Sequence, residues 1–304
     1  MKKILVLGGN GFIGTNLCSY LNRQGYHVFS MDIREPQHPI EGVQYIVGDF
    51  FDDVFLQEII EDKDVVYHAI STIMPGNSNQ KYMSGYSRDL LQTVKLCSYL
   101  QNTKIRMIFL SSGGTVYGNQ KEQPIREDAL PVPINHYGNV KLCIEHTIKV
   151  FNMQMHTKML VARISNPYGP LQDYQKGVGF IDAVLKRAMH HEVVSVWGDG
   201  ETVRDYIYID DVCKMLAALI EYEGPEEIFN VSSSQGTSQK QILNIVKKME
   251  PGLQVEYTKA RSVDAKKIIL DNQKIQKECG KFSIIPIEEG IEKYYNYLRG
   301  EKIF

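Results

Sequence analysis

The chain lacks the features that mark membrane-spanning, secreted and nucleic-acid-binding proteins. Among its 304 residues no apolar run approaches the roughly 18–20 needed to cross a bilayer. The run that follows Met1-Lys2-Lys3 ends at Leu7, too early for the apolar part of a secretory leader. Thirty-four basic and 36 acidic residues give a formal net charge of −2, without the basic excess of a nucleic-acid binder. We therefore expect no membrane and no nucleic-acid partner.

Cysteine is also scarce, and the spacing of the cysteines is not typical of disulfides or of a metal site. The five cysteines are odd in number, and no two have a C-x-x-C spacing, so the sequence predicts neither a disulfide framework nor a zinc site. The pair His190-His191 has no further ligand at a suitable spacing, and we expect no metal. Reduced cysteines that form neither disulfides nor metal sites are typical of a cytoplasmic protein.

The sequence alternates between short apolar runs and amphipathic stretches. Short apolar runs at 4–7, 27–31, 44–47, 65–69, 106–110 and 158–163 predict strands, and amphipathic stretches at 12–23, 54–61, 87–101 and 137–151 predict helices. Strands alternating with helices indicate a parallel sheet covered on both faces. After Asn166-Pro167-Tyr168-Gly169-Pro170, which is typical of a turn, the alternation loosens into short mixed elements.

The first predicted strand leads directly into a glycine-rich turn and a helix. The residues Gly8-Gly9-Asn10-Gly11-Phe12-Ile13-Gly14 fit both G-x-x-G-x-x-G and G-x-G-x-x-G. Such a turn lets a pyrophosphate approach the backbone at Gly11 and the helix N-terminus, while Gly14 permits close packing of helix and strand. Asp32, at the end of the second predicted strand, is placed to accept hydrogen bonds from an adenosine ribose, which favours NAD over NADP.

These patterns predict an α/β fold with a Rossmann-type doubly wound parallel sheet and a smaller mixed α/β C-terminal substrate domain. We assign residues 1–165 to an NAD-binding domain, with returning segments around 193–222, and residues 166–304 mainly to substrate binding. Asp49 has two interpretations of equal weight. It either hydrogen-bonds the adenine or caps the helix that follows.

Tyr137 and Lys141 form a Y-x-x-x-K pair on a predicted helix. Residues four apart share a helix face, so the phenol and the ammonium can meet. Free tyrosine titrates near about 10, and a neighbouring ammonium should lower that pKa. The pair therefore predicts an acid–base group beside a dinucleotide.

Taken together, the motifs resemble the extended short-chain dehydrogenase/reductases, and among them the nucleotide-sugar epimerase/dehydratase family typified by UDP-galactose 4-epimerase. The likeness runs from about residue 4 to about residue 275. The residues that carry it are Gly8–Gly14, Asp32, Gly48-Asp49, His68-Ala69, Ser111–Gly118, Tyr137, Lys141, Asn166–Pro170, Gly198–Gly200 and Arg204–Val212.

The resemblance implies a role for each matching residue. Tyr137 would be the base, and Lys141 would lower its pKa and hold the nicotinamide ribose. His68 and Ala69 would line the cofactor pocket, and Phe12 and Ile13 would lie at the phosphates with Gly8, Gly11 and Gly14. Asn166, Arg204 and Arg261 would contact the nucleotide diphosphate, with Asp264 near the ribose or the base. It also implies a homodimer formed through the helices at 87–101 and 137–151.

Three departures from the family pattern bear on the chemistry. Gly113 stands where the family usually has the Ser or Thr that relays a proton, so we assign that role to Thr115, with Ser112 as the alternative. Asp89 and Gln92 stand where the family has Asn and Gly. Gly114 and Thr115 replace the Asp-Glu pair of the 4,6-dehydratases, which disfavours dehydration.

The predicted function is an NAD-dependent C4-epimerase of a nucleotide sugar, with a UDP-sugar as substrate and a 4-keto intermediate. Two alternatives remain open. One is an NAD(P)-dependent 4-ketosugar reductase or dehydrogenase. The other is a catalytically silent dinucleotide-sensing protein, which the loss of a hydroxyl at Gly113 would favour.

Overall fold

A computed structural model describes residues 1–176, 178–259 and 265–300. Seven parallel strands form its main sheet, in the order β3-β2-β1-β4-β5-β6-β10. The strands are β1 Lys3–Leu7, β2 His27–Asp32, β3 Gln44–Val47, β4 Val65–His68, β5 Arg106–Ser112, β6 Leu160–Ile164 and β10 Ile228–Val231. The order reverses direction between β1 and β4, and ligands of such sheets bind at the carboxyl ends of the strands around this point.

Helices cover both faces of this sheet. They are α1 Phe12–Arg23, α2 Asp53–Ile60, α3 Ser78–Ser84, α4 Leu91–Leu100, α5 Gly113–Val116, α6 His136–Met155 and α8 Ile209–Ala218. Along β1, Ile4 and Val6 belong to the core under α1 and α8, whereas Leu5 and Leu7 belong to the core under α2, α4 and α6. Burial of both faces explains why the strands are continuous apolar runs. The predicted doubly wound α/β fold is confirmed.

A smaller mixed region follows. Strands β7 Asn166–Tyr168, β9 Val203–Tyr208, β11 Gly236–Ser238 and β13 Lys267–Ile268 form one sheet, and β8 Val194–Trp197 pairs with β12 Val255–Thr258. Helices α7 Phe180–Met189, α9 Gln239–Met249 and α11 Ile287–Leu298 pack around a separate core, while α10 Gln273–Cys279 contacts β10 and α8.

Two segments return to the first region. Helix α8 packs against α1, with Val212 and Leu216 in the same core as Leu17 and Leu21. Burying each such side chain stabilises the fold by about 1.5–3 kcal/mol. Strand β10 adds to the sheet edge at β6. Strand β8, inside the predicted returning range, instead pairs with β12 because its buried residues face the core of the smaller region. The domain boundary at residue 165 stays a prediction.

The helix expected at 87–101 differs most from expectation. It begins at Ser78 and passes through a π-helical turn, Gly85–Leu90, before α4. Glycine suits position 85 in this turn, because an added Cβ would lie 2.4 Å from Ile73 Cδ1 and 3.0 Å from Val140 Cγ2. In the described ranges, no helix is both long and apolar enough to cross a membrane.

Candidate active site

The glycine-rich turn joins β1 to α1 and is shaped by close backbone contacts. Gly8 has φ +82°, a conformation that favours glycine, and its N–H donates to the Met31 carbonyl at the end of β2. A Cβ on Gly14 would lie 2.3 Å from the Gly8 carbonyl oxygen. The turn therefore brings the N-terminus of α1 up to the sheet edge. Exposed amides at such a terminus bind phosphate.

Asp32 ends β2 beside this turn. Its Oδ2 accepts a hydrogen bond from the Asn10 amide at 3.3 Å, and its Oδ1 accepts one from the Ile33 amide at 2.8 Å. The structure thus brings Asp32 to the glycine turn, as the spacing predicts. Its contact with a ribose stays a prediction.

Asp49 does not cap the following helix. The N-cap of α2 is Asp52, whose Oδ1 accepts from the Val54 and Phe55 amides. Asp49 lies three residues earlier and accepts from the Phe51 amide. This corrects the capping interpretation, and the adenine contact stays a prediction.

The Tyr137–Lys141 pair lies on the first turns of α6. Asn135 caps the helix by accepting from the Gly138 amide. Gly138 is required because a Cβ there would lie 2.6 Å from the Thr115 carbonyl oxygen. Lys141 is buried, its Nζ donates to the Leu110 carbonyl at 3.1 Å, and it lies 5.7 Å from the centroid of the Tyr137 ring. Helix α6 therefore presents both groups to the end of β5.

The electrostatics of the pair correct one expectation. Burial, together with the Asp89 carboxylate, raises the pKa of Tyr137 to about 12. Burial lowers the pKa of Lys141 to about 8, against the opposing influence of Asp89 and then Glu145. Lys141 was expected to lower the pKa of Tyr137, but in the protein alone that pKa is raised, because burial and then the Asp89 carboxylate both favour the neutral phenol. A phenol with this pKa stays protonated at neutral pH, so it is a weak acid and supplies almost no phenolate to act as a base.

His68 and Ala69 lie at the end of β4. The His68 ring is buried between Phe50 and Phe109, and its Nε2 lies 2.9 Å from Thr93 Oγ1. Burial, followed by the charge of Lys141, lowers the pKa of His68 to about 3, so it is neutral. A Cβ on Gly8 would lie 3.2 Å from the Ala69 carbonyl carbon, so Ala69 forms one side of the glycine turn. A direct cofactor contact by either residue stays a prediction.

The segment after β5 contains the residues predicted to supply the hydroxyl of the proton relay. A Cβ on Gly113 would lie 2.3 Å from Leu270 Cδ1, so that position is packed. A Cβ on Gly114 would meet Asn166 at an ordinary 3.6 Å. Ser112 occupies the N-cap position of α5 without a side-chain cap bond, and Thr115 Oγ1 donates to the Ser112 carbonyl at 3.3 Å. The backbone carbonyl of Thr115 lies against Gly138, next to Tyr137, and the roles of both hydroxyls stay predictions.

The predicted substrate residues fall on the four-stranded sheet. Asn166 begins β7, and its Nδ2 donates to the Asp205 carbonyl at 3.0 Å. Arg204 lies on the adjoining strand β9, partly exposed. Asn166 and Arg204 are therefore close in the fold. Arg261 and Asp264 lie outside the described residues, and their assignment stays a prediction.

The sequence reading missed a buried ion pair below Lys141. Glu145 accepts from Arg163 Nη2 at 2.6 Å and from Ser111 Oγ, and both charged side chains are buried. Glu145 follows Lys141 by one helical turn on α6, so its spacing could have identified it. The pair fixes α6 to β5 and β6, which hold the site.

The sheet order, glycine turn and Tyr–Lys pair define a dinucleotide-dependent α/β enzyme. The profile of the NAD dependent epimerase/dehydratase family matches residues 4–232, and the chain belongs to that family. The predicted family and the cofactor NAD are thereby confirmed.

Relatives match over nearly the whole chain. The putative UDP-glucose 4-epimerase of Methanocaldococcus jannaschii is 29% identical, over 97% of this chain and 98% of that protein. The dTDP-4-dehydro-6-deoxyglucose reductase of Escherichia coli is 28% identical, over 97% of each. The crystal structure of the Thermotoga maritima UDP-glucose 4-epimerase with UDP-glucose superposes with a TM-score of 0.91 at 29% identity, covering 98% of this chain and 99% of that one.

The residues present fit NAD. Side chains at Gly9 and Gly14 would clash with Ser30 and with the Gly8 carbonyl, so the turn from Gly8 to Gly14 keeps a bare backbone that a pyrophosphate can approach. Two buried polar atoms nearby, His68 Nδ1 and Asp89 Oδ1, have no hydrogen-bond partner within the described ranges. Gly11, Phe12 and Ile13 would hold the pyrophosphate, and Asp32 the adenosine ribose.

Proposed function

We propose that the protein is an NAD-dependent C4-epimerase of a nucleotide sugar, acting on a UDP-hexose through a transient 4-keto sugar. The observation that carries the proposal is the Tyr137–Lys141 pair on α6, at the same sheet edge as the glycine turn. The names of the similar M. jannaschii and T. maritima proteins support the UDP-sugar class.

In this proposal each residue has a defined task. Bound NAD would supply the acceptor and donor of the hydride for the sugar carbon. Tyr137 takes the proton of the 4-hydroxyl and later gives it back. Lys141 holds the ribose and favours the phenolate. Thr115 or Ser112 carries the hydroxyl contact that Gly113 cannot make. Asn166, Arg204, Arg261 and Asp264 bind the nucleotide, where guanidinium groups suit the diphosphate.

The high pKa of Tyr137 in the protein alone is consistent with this cycle. A phenol that ionises only when additional positive charge is nearby stays protonated until the positively charged nicotinamide is present. Proton removal is then confined to the cofactor-bound protein. After the sugar turns over in the pocket, the same phenol re-protonates the returning oxygen.

The direct test is interconversion of epimers. Purified protein is incubated with UDP-glucose, UDP-galactose and their 2-acetamido forms, and the products are separated by chromatography. The matched control is Tyr137→Phe, which keeps the ring but lacks the phenol. The proposal fails if no epimer forms while NAD and a UDP-sugar are both shown to bind.

A 4-ketosugar reductase is the second candidate. One observation favours it, the similarity to the E. coli reductase. A reductase consumes reduced nicotinamide in proportion to product, whereas an epimerase regenerates its cofactor within each cycle. Loss of the reduced-nicotinamide absorbance with a 4-keto substrate distinguishes them. A silent dinucleotide sensor would be supported if Tyr137→Phe left the cellular role intact.

We also propose a homodimer through α4 and α6. Leu91 on α4, and Val150 and Met153 on α6, are exposed apolar residues on these adjoining helices. Light scattering of the eluted protein would measure the mass. A 34.7 kDa monomer at micromolar concentration would contradict the proposal.

A further inference from the structure

Asp205 is a buried carboxylate that joins several parts of the chain, although no role has been assigned to it. It lies on β9 and is 0% exposed. Its Oδ1 accepts hydrogen bonds from the Ser233 amide at 2.9 Å, the Ser233 hydroxyl at 2.7 Å and the Ser165 hydroxyl at 3.2 Å. Its Oδ2 accepts from the Ser234 amide at 3.2 Å and the Leu270 amide at 3.1 Å. Because the acceptor is a carboxylate, each of these bonds is stronger than one between neutral groups.

The segments that meet at Asp205 come from both sheets. Ser165 directly follows β6 and Ser233 lies two residues after β10, and these two strands pair at the edge of the seven-stranded sheet. Leu270 lies two residues after β13, which pairs with β9 in the four-stranded sheet. The carboxylate is therefore a junction between the sheet that carries the glycine turn and the sheet that carries the predicted substrate residues.

Two predicted substrate residues stand directly beside this junction. Arg204 precedes Asp205 on β9, at a point where that strand pairs with both β11 and β13. Asn166 on β7 donates from its Nδ2 to the backbone carbonyl of Asp205 at 3.0 Å. A shift of β9 against the main sheet would therefore move Arg204 and Asn166 together.

The junction also reaches the segment after β5. The Leu270 side chain fills the space beside Gly113, since an added Cβ would lie 2.3 Å from Leu270 Cδ1. Gly114 faces Asn166, whose Oδ1 would lie 3.6 Å from an added Cβ. Asp205 bonds both the Leu270 amide and, through its carbonyl, Asn166. Its position thus affects how the substrate sheet sits against the residues predicted to relay the proton.

We propose that Asp205 is a positioning residue whose carboxylate holds β9 against the ends of β6 and β10, and so places Arg204 and Asn166 where a nucleotide diphosphate can bind beside the dinucleotide. The inference deepens the proposed function and rests on it, because it takes these two residues to hold a nucleotide sugar. Asp205 itself need not touch the substrate. Placement matters because a displacement of about 1 Å can cost about 100-fold in activity.

The test is the affinity of Asp205→Asn for UDP, measured by titration calorimetry with NAD bound. The amide keeps the shape of the carboxylate, but its NH2 group cannot accept a hydrogen bond. In one orientation the NH2 group faces the Ser233 amide, and in the other it faces the amides of Ser234 and Leu270. We expect the Kd for UDP to rise about tenfold or more, and KM for the UDP-sugar to change more than kcat. The Kd for NAD should stay within about twofold, because the glycine turn is not altered.

The matched control is Asp211→Asn. Asp211 is also buried, but its carboxylate accepts from the Ile285 amide and from Lys214, which lie outside the four-stranded sheet. Its replacement should lower stability and leave the UDP affinity unchanged. An equal loss of UDP affinity in both variants would overturn the proposal, because a general loss of stability would then explain it.

Unchanged UDP affinity in folded Asp205→Asn also overturns the proposal. If that variant does not fold, Ser233→Ala takes its place, since it removes one donor and keeps the backbone amide. We expect its Kd for UDP to rise about threefold or more, and an unchanged value would overturn the proposal. Failure of both variants to fold would assign Asp205 a purely structural role.

These measurements separate the inference from the proposed function, because UDP binding needs no turnover. Weakened UDP binding in Asp205→Asn, together with no epimerisation by the unchanged protein, would sink the proposed reaction and leave the role of Asp205 in place. Equal UDP affinities in a protein that epimerises UDP-sugars would do the reverse. An unchanged protein that binds NAD but no UDP would overturn both.

Discussion

Replacing Lys141 with methionine should stabilise the protein while abolishing its activity. Lys141 is 4% exposed, and the pKa of its amine is lowered from 10.5 to about 8 by burial. A lowered lysine pKa means that folding disfavours the charged form of the amine. Methionine has the same length and no charge, so it removes the penalty without leaving a large cavity.

The magnitude follows from the pKa. A difference of about 2.5 pH units at 1.36 kcal/mol each gives about 3 kcal/mol at pH 7. The opposing influence of the Asp89 and Glu145 carboxylates is already included in this pKa. We therefore expect Lys141→Met to raise the free energy of unfolding by about 2–3 kcal/mol at pH 7.

The stability difference between the two proteins should depend on pH. Between about pH 8 and 10.5 the unfolded chain binds more protons at Lys141 than the folded one, so the penalty is complete below pH 8 and disappears as pH rises through that window. Urea unfolding of both proteins without added NAD, at pH 7 and at pH 10.5, measures the difference. Burial raises the pKa of Cys18 and Cys97 to about 12 and affects both proteins equally. A variant that is less stable at pH 7, or a difference that does not shrink by pH 10.5, would refute the reasoning.

Four further substitutions test the geometry of the site. In Gly14→Ala the new Cβ would lie 2.3 Å from a backbone carbonyl, so we expect NAD binding to be lost and stability to fall by about 1–3 kcal/mol, measured by calorimetry with and without NAD. Gly113→Ser should cost about 1–3 kcal/mol because of the Leu270 contact, whereas Gly114→Ser should stay within about 0.5 kcal/mol, and equal urea midpoints would contradict the packing. Asp32→Ala should weaken NAD binding about 10–100-fold and NADP binding much less; an unchanged preference in equilibrium dialysis would remove Asp32 from the ribose site.

The order of the first part of the chain was predictable because its rules are local. Buried parallel strands are short apolar runs, and the turn after Leu7 needs glycines at fixed offsets. The π-helical turn at Gly85–Leu90 was not predictable, since it arises from the approach of Ile73 and Val140 to Gly85. The same holds for β8: its pairing with β12 brings together segments about sixty residues apart.

Part of the candidate site was also predictable from the sequence, and part was not. Spacing alone placed Tyr137 and Lys141 on one helix face, and the structure brings them to the strand end that the motif implied. The ionisation of the pair was not predictable, because the pKa values depend on burial and on Asp89, which lies on another element. Sequence spacing reports which groups can meet, whereas their protonation depends on what surrounds them.

Gly113 shows why a missing side chain need not be a missing function. The space that a serine would occupy is filled by Leu270, which lies more than 150 residues later and reaches β5 through the sheet of β9 and β13. The loss of a hydroxyl is therefore matched by apolar packing, so the position is not a damaged remnant. We propose that proton transfer from the sugar uses the hydroxyl of Thr115, whose backbone carbonyl lies against Gly138 beside the tyrosine and whose Oγ1 donates to the Ser112 carbonyl. Thr115→Val, which keeps the shape, should slow turnover at unchanged fold stability if this route is used.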